Sequence, residues 1–236
     1  MIDFTLKSQY GYEDLVNLVR LLRGPGGCPW DGAQTHQSIR RNFIEEACEA
    51  CEAMDRADPE HLREELGDVL LQVVFHAGIE ADAGRFDMDG VCDGVCKKLI
   101  ARHPHLFTED SSRPDWETLK RIQRGNQTVA QAMEGISKAL PATWQADKIL
   151  FKAEASGLYQ ADPAEARGDL TQALAALEGT PDADSQEEIG RALFAMVRLA
   201  RAAGTDPEAA LLRQCNHFIR GFAQREAAAA EAAAKE

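Results

Sequence analysis

From residue 35 to residue 84 the sequence keeps apolar side chains at helical spacing and interrupts the pattern once, at Asp58-Pro59. An aspartate followed by proline is a helix N-cap followed by a residue whose fixed φ suits the first helical position. The segment therefore reads as two long helices joined by a tight turn. The first spans residues 35 to about 57, with Ile39, Phe43, Ala47, Ala50 and Met54 on one stripe. The second runs to about Gly84, with Leu62, Leu66, Val69, Leu70, Val73, Val74 and Ala77 facing inward. A connection this short makes the two helices antiparallel neighbours. The same pattern recurs on both sides. Residues 12–23 form an amphipathic helix through Leu15, Leu18, Val19 and Leu22, ended by a loop with four glycines and two prolines from Gly24 to Gly32. A helix over 88–102 stops at His103-Pro104, residues 108–114 read as loop, and 115–126 return to helix. After Pro141 helices are expected at 143–155, 163–177, 185–203 and 207–226, with a polar break at 179–184. No stretch alternates in the manner of a strand, so the fold class is all-α. The expected organisation is a helical domain over 1–126, a linker over 127–140, a second helical domain over 141–226 and an Ala/Glu-rich helical or frayed tail over 227–236.

Charge narrows the partners. The 236 residues carry 26 basic and 39 acidic side chains, a net charge of −13, with 44% hydrophobic residues. Such a field repels extended nucleic acid and anionic membranes, while a surplus of carboxylates suits hard cations. No apolar run approaches the roughly 20 residues that span a bilayer. The first residues lack the basic and apolar regions of a signal peptide, so a cytoplasmic location is expected. Cys48 and Cys51, and Cys92 and Cys96, lie inside helical patterns. They read as small buried residues in a reduced compartment, with a zinc site as the alternative; Cys28 and Cys215 have no neighbouring partner.

The chemistry-bearing pattern is Glu45-Glu46-Ala47-Cys48-Glu49 on one helix and Glu64-Glu65-Leu66-Gly67-Asp68 on the next. Glu46 with Glu49, and Glu65 with Asp68, are i, i+3 pairs beside the apolar stripes, whereas Glu45 and Glu52 project toward solvent. Glu49 lies nine residues before Asp58 and Glu65 seven after it, which places them about 13 Å and 10 Å from the turn. An antiparallel hairpin thus brings the two pairs to one height, facing each other. Four such carboxylates repel unless protonated or bridged by cations, and Arg56 and Arg63 are too few to neutralise them. Oxygen-only ligation favours Mg²⁺ or Mn²⁺ over zinc. Lys98 and Arg102 share a face at i, i+4 and read either as phosphate contacts or as a helix-terminal pair. Trp30, in the Pro/Gly loop, reads either as a base-stacking residue or as a structural anchor. His103 and His105 read as a polar helix stop.

These segments, taken together, resemble the MazG family of all-α nucleoside triphosphate pyrophosphohydrolases. The resemblance is carried by Gly27-Cys28-Pro29-Trp30-Asp31 with Gln34-Thr35, Glu45 to Glu49, Glu64 to Ala77, Gly84-Arg85-Phe86, and Lys98 to Phe107. It implies that Glu46, Glu49, Glu65 and Asp68 hold Mg²⁺, with Mn²⁺ as a substitute, and that Glu45 is an outer ligand or base. It further implies that Lys98 and Arg102 touch the triphosphate, that an NTP or dNTP is cut between its α and β phosphates to NMP and pyrophosphate, and that the protein is a homodimer. A narrower house-cleaning pyrophosphatase for non-standard nucleotides and a non-catalytic nucleotide-binding regulator are the alternatives. The segment over 140–222 resembles a second, degenerate repeat. It shows Asp169-Leu170-Thr171-Gln172-Ala173 and Glu187-Glu188-Ile189-Gly190-Arg191 where the two acidic motifs would fall, and His217 and Gly221 in place of the cationic pair. Arg191 there replaces an aspartate, so the second repeat is expected to lack a metal site and to let Arg191 pair with Glu187 or Glu188.

Overall fold

The computed structural model describes residues 2–107, 125, 128–177 and 185–233, and among these every regular element is a helix. The expected helix at 115–126 and the loops at 108–114 and 179–184 fall almost wholly outside the described residues. The chain divides into two compact units, Met1–Arg113 and Pro114–Glu236.

The first unit holds α1 (Tyr12–Arg23), α2 (Pro29–Ala33), α3 (His36–Asp55), α4 (Pro59–Asp82), α5 (Met88–Arg102) and α6 (Pro104–Phe107). The second holds α7 (Val129–Glu134), α8 (Ala142–Ala155), α9 (Pro163–Leu177), α10 (Ser185–Ala202) and α11 (Pro207–Ala233). Three short features depart from the sequence reading. α2 forms inside the Gly/Pro loop because Pro29 occupies its first turn. α7 forms inside the expected linker, where Thr128 and Gln131 make a capping box. α6 resumes immediately beyond the stop at His103.

The α3–α4 hairpin is the principal helix pair of the first unit. Its turn is built on Ala57, the one non-glycine residue with positive φ (53°) among the described residues. There the amide of Asp58 reaches back to the carbonyl of Ala53 at 3.1 Å, and the Asp58 carboxylate then caps α4 through the amides of Glu60 and His61. Ala50 and Ala53 are buried beside this turn, and their small side chains let the two backbones approach. α1 packs on α4. Val19, Ile39, Val74, Phe75, Ala77 and Met88 form the core, with Leu15, Val16, Leu70 and Val91 packed around it. The Gly/Pro loop folds back under α1, where a Cβ on Gly27 would stand 2.3 Å from the carbonyl oxygen of Leu22, so only glycine fits.

Two expectations about burial are corrected. Phe43, Met54 and Leu66, read as inward-facing, are 37%, 53% and 48% exposed. The core gathers around the second half of α4, and within the unit no described helix covers this side of the hairpin. Nor are the cysteines small buried residues: Cys48, Cys51, Cys96 and Cys215 are exposed, and Cys28 and Cys92 are half-buried.

In the second unit α9 and α10 pair, α8 packs on α10, and α11 packs on α8 and α10. Leu150, Ala166, Ala173, Ala195 and Val197 are buried there. α11 continues through much of the Ala-rich tail. No helix among the described residues is long and apolar enough to cross a membrane.

Candidate metal centre

The hairpin brings together carboxylate oxygens of Glu46 and Glu49 on α3 and Glu65 on α4, all within 4.8 Å of one another. It is the one group of three or more potential metal ligands among the described residues. The cysteines take no part in it. Glu49 is exposed and Glu46 half-buried, while Glu65 is only 6% exposed. Asp68, one turn beyond Glu65, is half-buried beside this triangle. Burial raises the pKa of Glu46, and the charges of Asp68, Glu49, Glu65 and Glu45 raise it further. Burial and then Glu49 raise that of Glu65, with His61 opposing. The site therefore holds carboxylates that resist ionising together. A divalent cation with oxygen preference meets both demands, since it neutralises the repulsion and needs only oxygen ligands. The donor set present fits such an ion.

Glu45 stands apart. It is exposed and accepts a 2.8 Å hydrogen bond from Nε of Arg41 one turn earlier. Its charge reaches Glu46, but its carboxylate is outside the triangle. His61 is a neighbour that the sequence reading missed, its Nδ1 3.3 Å from the Glu65 carboxylate. The signal was a histidine one helical turn before Glu65. Gln72, one turn past Asp68, is a second omission: it is buried, and its side-chain carbonyl oxygen has no hydrogen-bond partner among the described residues.

The candidate substrate contacts are placed less tightly. α5 packs on α4 through its first turns, and Lys98 is exposed with no ion pair to the carboxylates. Arg102 is the last residue of α5, fourteen residues or about 21 Å beyond Met88. Trp30 is 61% exposed. Its α2 is held by Arg23, which donates to the backbone oxygen of Asp31 at 2.8 Å and to Asp82 at 2.8 Å while lying over the Phe75 ring. Asp82 is fourteen residues past Asp68, or about 21 Å along α4, so within one chain the hairpin does not bring Trp30 to the carboxylates.

Residues 34–107, which contain the triangle, Asp68, Lys98 and Arg102, match the MazG nucleotide pyrophosphohydrolase domain. Over 218 residues the chain is 37% identical to the nucleoside triphosphate pyrophosphohydrolase/pyrophosphatase MazG of Thermotoga maritima, covering 91% of this chain and 85% of that protein. The chain belongs to the MazG family. It is also 35% identical over 225 residues to the nucleoside triphosphate pyrophosphohydrolase of Escherichia coli K12, covering 90% of this chain and 86% of that one. An uncharacterized protein of Bacillus subtilis, YabN, is 37% identical over 226 residues but is matched over only 46% of its own length.

The matched MazG domain lies wholly in the first unit, and the second unit handles charge differently. Arg191 pairs with Glu188 at 3.1 Å, as expected of it, and also reaches Gln172. The larger contribution comes from residues the sequence reading passed over. Arg198 on α10 donates to Asp169 and, at 2.6 Å, to Glu165, both on α9, and to the Tyr159 hydroxyl. Arg201 joins Glu154 and Asp147 on α8. A cavity of about 470 Å³ is lined by Asp169, Glu187, Arg191 and Arg198. Its guanidinium groups are already paired with carboxylates.

Proposed function

We propose that this chain is a Mg²⁺-dependent nucleoside triphosphate pyrophosphohydrolase that cleaves NTPs or dNTPs between the α and β phosphates, releasing NMP and pyrophosphate. The enzyme class follows from membership of the MazG family and from the names of the relatives. The single observation behind the metal is the convergence of Glu46, Glu49 and Glu65 within 4.8 Å, with Asp68 beside them. A bound divalent cation supplies charge neutralisation to the phosphate oxygens and acidity to the attacking water. Glu46, Glu49, Glu65 and Asp68 would hold it, and Mn²⁺ would substitute. Burial of Glu65 keeps water away from that side of the cage and strengthens its electrostatics. Lys98 and Arg102 neutralise the distal phosphates, Arg102 by bidentate hydrogen bonds and Lys98 as a point charge. Positioning and charge stabilisation carry such reactions, so no covalent role for the protein is needed.

We further propose that the chain acts as a homodimer, because Phe43, Ile44, Met54 and Leu66 leave the active hairpin with an apolar side that the unit does not cover. Catalysis then resides in the first unit, and the second contributes stability or assembly.

The deciding assay incubates purified protein with Mg²⁺ and a panel of NTPs and separates pyrophosphate from orthophosphate. Glu49→Ala and Asp68→Ala should each abolish pyrophosphate release at unchanged helicity. Near-normal turnover in both variants would remove the cage from the mechanism.

A further inference from the structure

Beside the apolar residues that join α3 and α4, α4 carries a line of polar side chains toward α3, where a helix seam is ordinarily apolar. Glu65, Asp68, Gln72, His76 and Glu80 follow one another at three- and four-residue steps. The cage accounts for the first two. The last two meet His36, the first residue of α3. Nε2 of His36 bonds Oε1 of Glu80 at 2.5 Å, and its Nδ1 lies 2.7 Å from Nδ1 of His76. A carboxylate only accepts, so His36 Nε2 carries a hydrogen, and the two Nδ1 atoms share a single proton. Burial and the neighbouring His36 lower the pKa of His76, which agrees with one of the two rings remaining neutral.

Arg85 completes the group. Gly84, with φ of 68°, ends α4 in a turn that sends the amide of Arg85 back to the carbonyl of Glu80 at 3.0 Å. The Arg85 side chain follows, donating from Nε to Glu80 Oε2 at 2.5 Å and from Nη2 to Oε1 at 2.8 Å. Arg85 and His36 hold the Glu80 carboxyl down to about 2, so it stays ionised. The edge of Phe43 packs on the His76 ring at 5.6 Å between centroids.

This group stands at one end of the hairpin and the Asp58 turn at the other, with the cage between them. Near the turn, buried Ala50 and Ala53 fix the approach of the helices. Over the cage itself little apolar packing remains. Phe43 and Glu49 are exposed, Glu46 is half-buried, and the facing residues are Glu65, Asp68 and Gln72. The carboxylates push α3 and α4 apart at that level. His36 lies ten residues before Glu46, about 15 Å along α3. A helix released at that end is free to swing and to slide its two cage ligands relative to Glu65.

We propose that His36, His76, Glu80 and Arg85 are positioning residues for the metal cage: they tie the start of α3 to the end of α4 and so set where Glu46 and Glu49 meet Glu65. The inference rests on the metal reading given above. Catalytic geometry is sensitive on this scale, since a displacement of about 1 Å costs on the order of a hundredfold.

The test uses the full chain and free Mn²⁺, measured by electron paramagnetic resonance without nucleotide, together with kcat, KM and the melting temperature. His36→Leu removes both of its hydrogen bonds, His36→Gln keeps an amide donor toward Glu80, and His76→Phe keeps the ring against Phe43 while losing the shared proton. At a temperature where every variant is folded, His36→Leu and His76→Phe should bind Mn²⁺ about tenfold more weakly, the lower bound for lost outer support of a metal site. Their kcat should fall while KM for the nucleotide changes little, and His36→Gln should return to within about threefold of the wild type. Should His36→Leu fail to fold, His76→Phe carries the comparison. Wild-type Mn²⁺ affinity in the folded variants, with only the melting temperature lowered, would reduce the group to ordinary stabilisation and overturn the proposal. If the wild type binds no Mn²⁺, or Glu49→Ala binds it equally well, the cage reading itself fails and the positioning role falls with it.

Discussion

Replacing Glu65 by Gln isolates the metal-binding charge from the packing around it. Glu65 is 6% exposed and shares the 4.8 Å triangle with Glu46 and Glu49. The amide keeps the shape of the side chain and its capacity to accept from His61, and removes one buried negative charge. Without metal the variant should therefore melt at or slightly above the wild type at pH 8, because the raised pKa of Glu65 marks an anion that burial and Glu49 disfavour. With metal the order reverses. If Mg²⁺ binds only the folded hairpin, a concentration a hundred times its dissociation constant stabilises the wild type by about 2.7 kcal/mol. The first unit spans Met1–Arg113. At about 2.1 cal/mol/K per residue its unfolding entropy is roughly 0.24 kcal/mol/K, so that stabilisation moves its melting temperature by about 11 °C. Glu65→Gln should lose most of this rise. Calorimetry of both proteins with and without 5 mM Mg²⁺ reads all four numbers. An equal Mg²⁺-dependent rise in the variant, or a metal-free variant melting well below the wild type, would refute the reasoning.

Other consequences follow from single features. The pKa values of Glu46 and Glu65 are both raised, so their contribution to metal-free stability is fully present below the ordinary carboxylate range and is lost as pH rises through the folded values; chelated protein should melt lower at pH 8 than at pH 5.5, and saturating Mg²⁺ should cancel the difference. Ala57→Gly should stabilise the first unit by about 1 kcal/mol in denaturant titrations, because it relieves an alanine held at φ 53°. The wild type should have the mass of the proposed homodimer by light scattering and Ile44→Glu, on the uncovered apolar side of α3, that of a monomer; a monomeric wild type overturns the dimer, and a dimeric variant places the interface elsewhere. Arg191→Ala should leave NTP cleavage within a few fold, while Arg198→Met should cost the second unit about 1–3 kcal/mol in denaturant titrations, the lower part of the range for a buried pair because Glu165 and Asp169 remain half exposed.

What was legible in the sequence was local. Asp58-Pro59 fixed a turn, and counting residues outward from it placed Glu49 opposite Glu65, because helical rise is regular over so short a span. The left-handed residue at Ala57 gave no signal, since alanine is a poor occupant of that conformation and the turn around it imposes it. Periodicity placed Phe43 and Met54 on the apolar stripe of α3 and Leu66 on that of α4, but a period says which side of a helix is apolar and not which element covers it. The tie from His36 to Glu80 spans forty-four residues and needs the hairpin register before any contact can be inferred. The Arg41–Glu45 pair, by contrast, is an i, i+4 contact that the sequence displays directly.

The distribution of arginines argues most directly for what the cage holds. In the first unit Arg41 pairs with Glu45, Arg56 with Glu52, Arg85 with Glu80 and Arg23 with Asp82. No arginine or lysine ion pair among the described residues reaches Glu46, Glu49, Glu65 or Asp68, and the one nearby base is His61. Four arginines of the first unit are paired with carboxylates outside the cage, and leaving its most crowded carboxylates without one is a costly arrangement for a structural element. In the second unit, by contrast, Arg198 joins Glu165 and Asp169 across the α9–α10 pair. In the first unit no such guanidinium reaches Glu46, Glu49 or Glu65, and the proposed divalent cation would supply the missing positive charge.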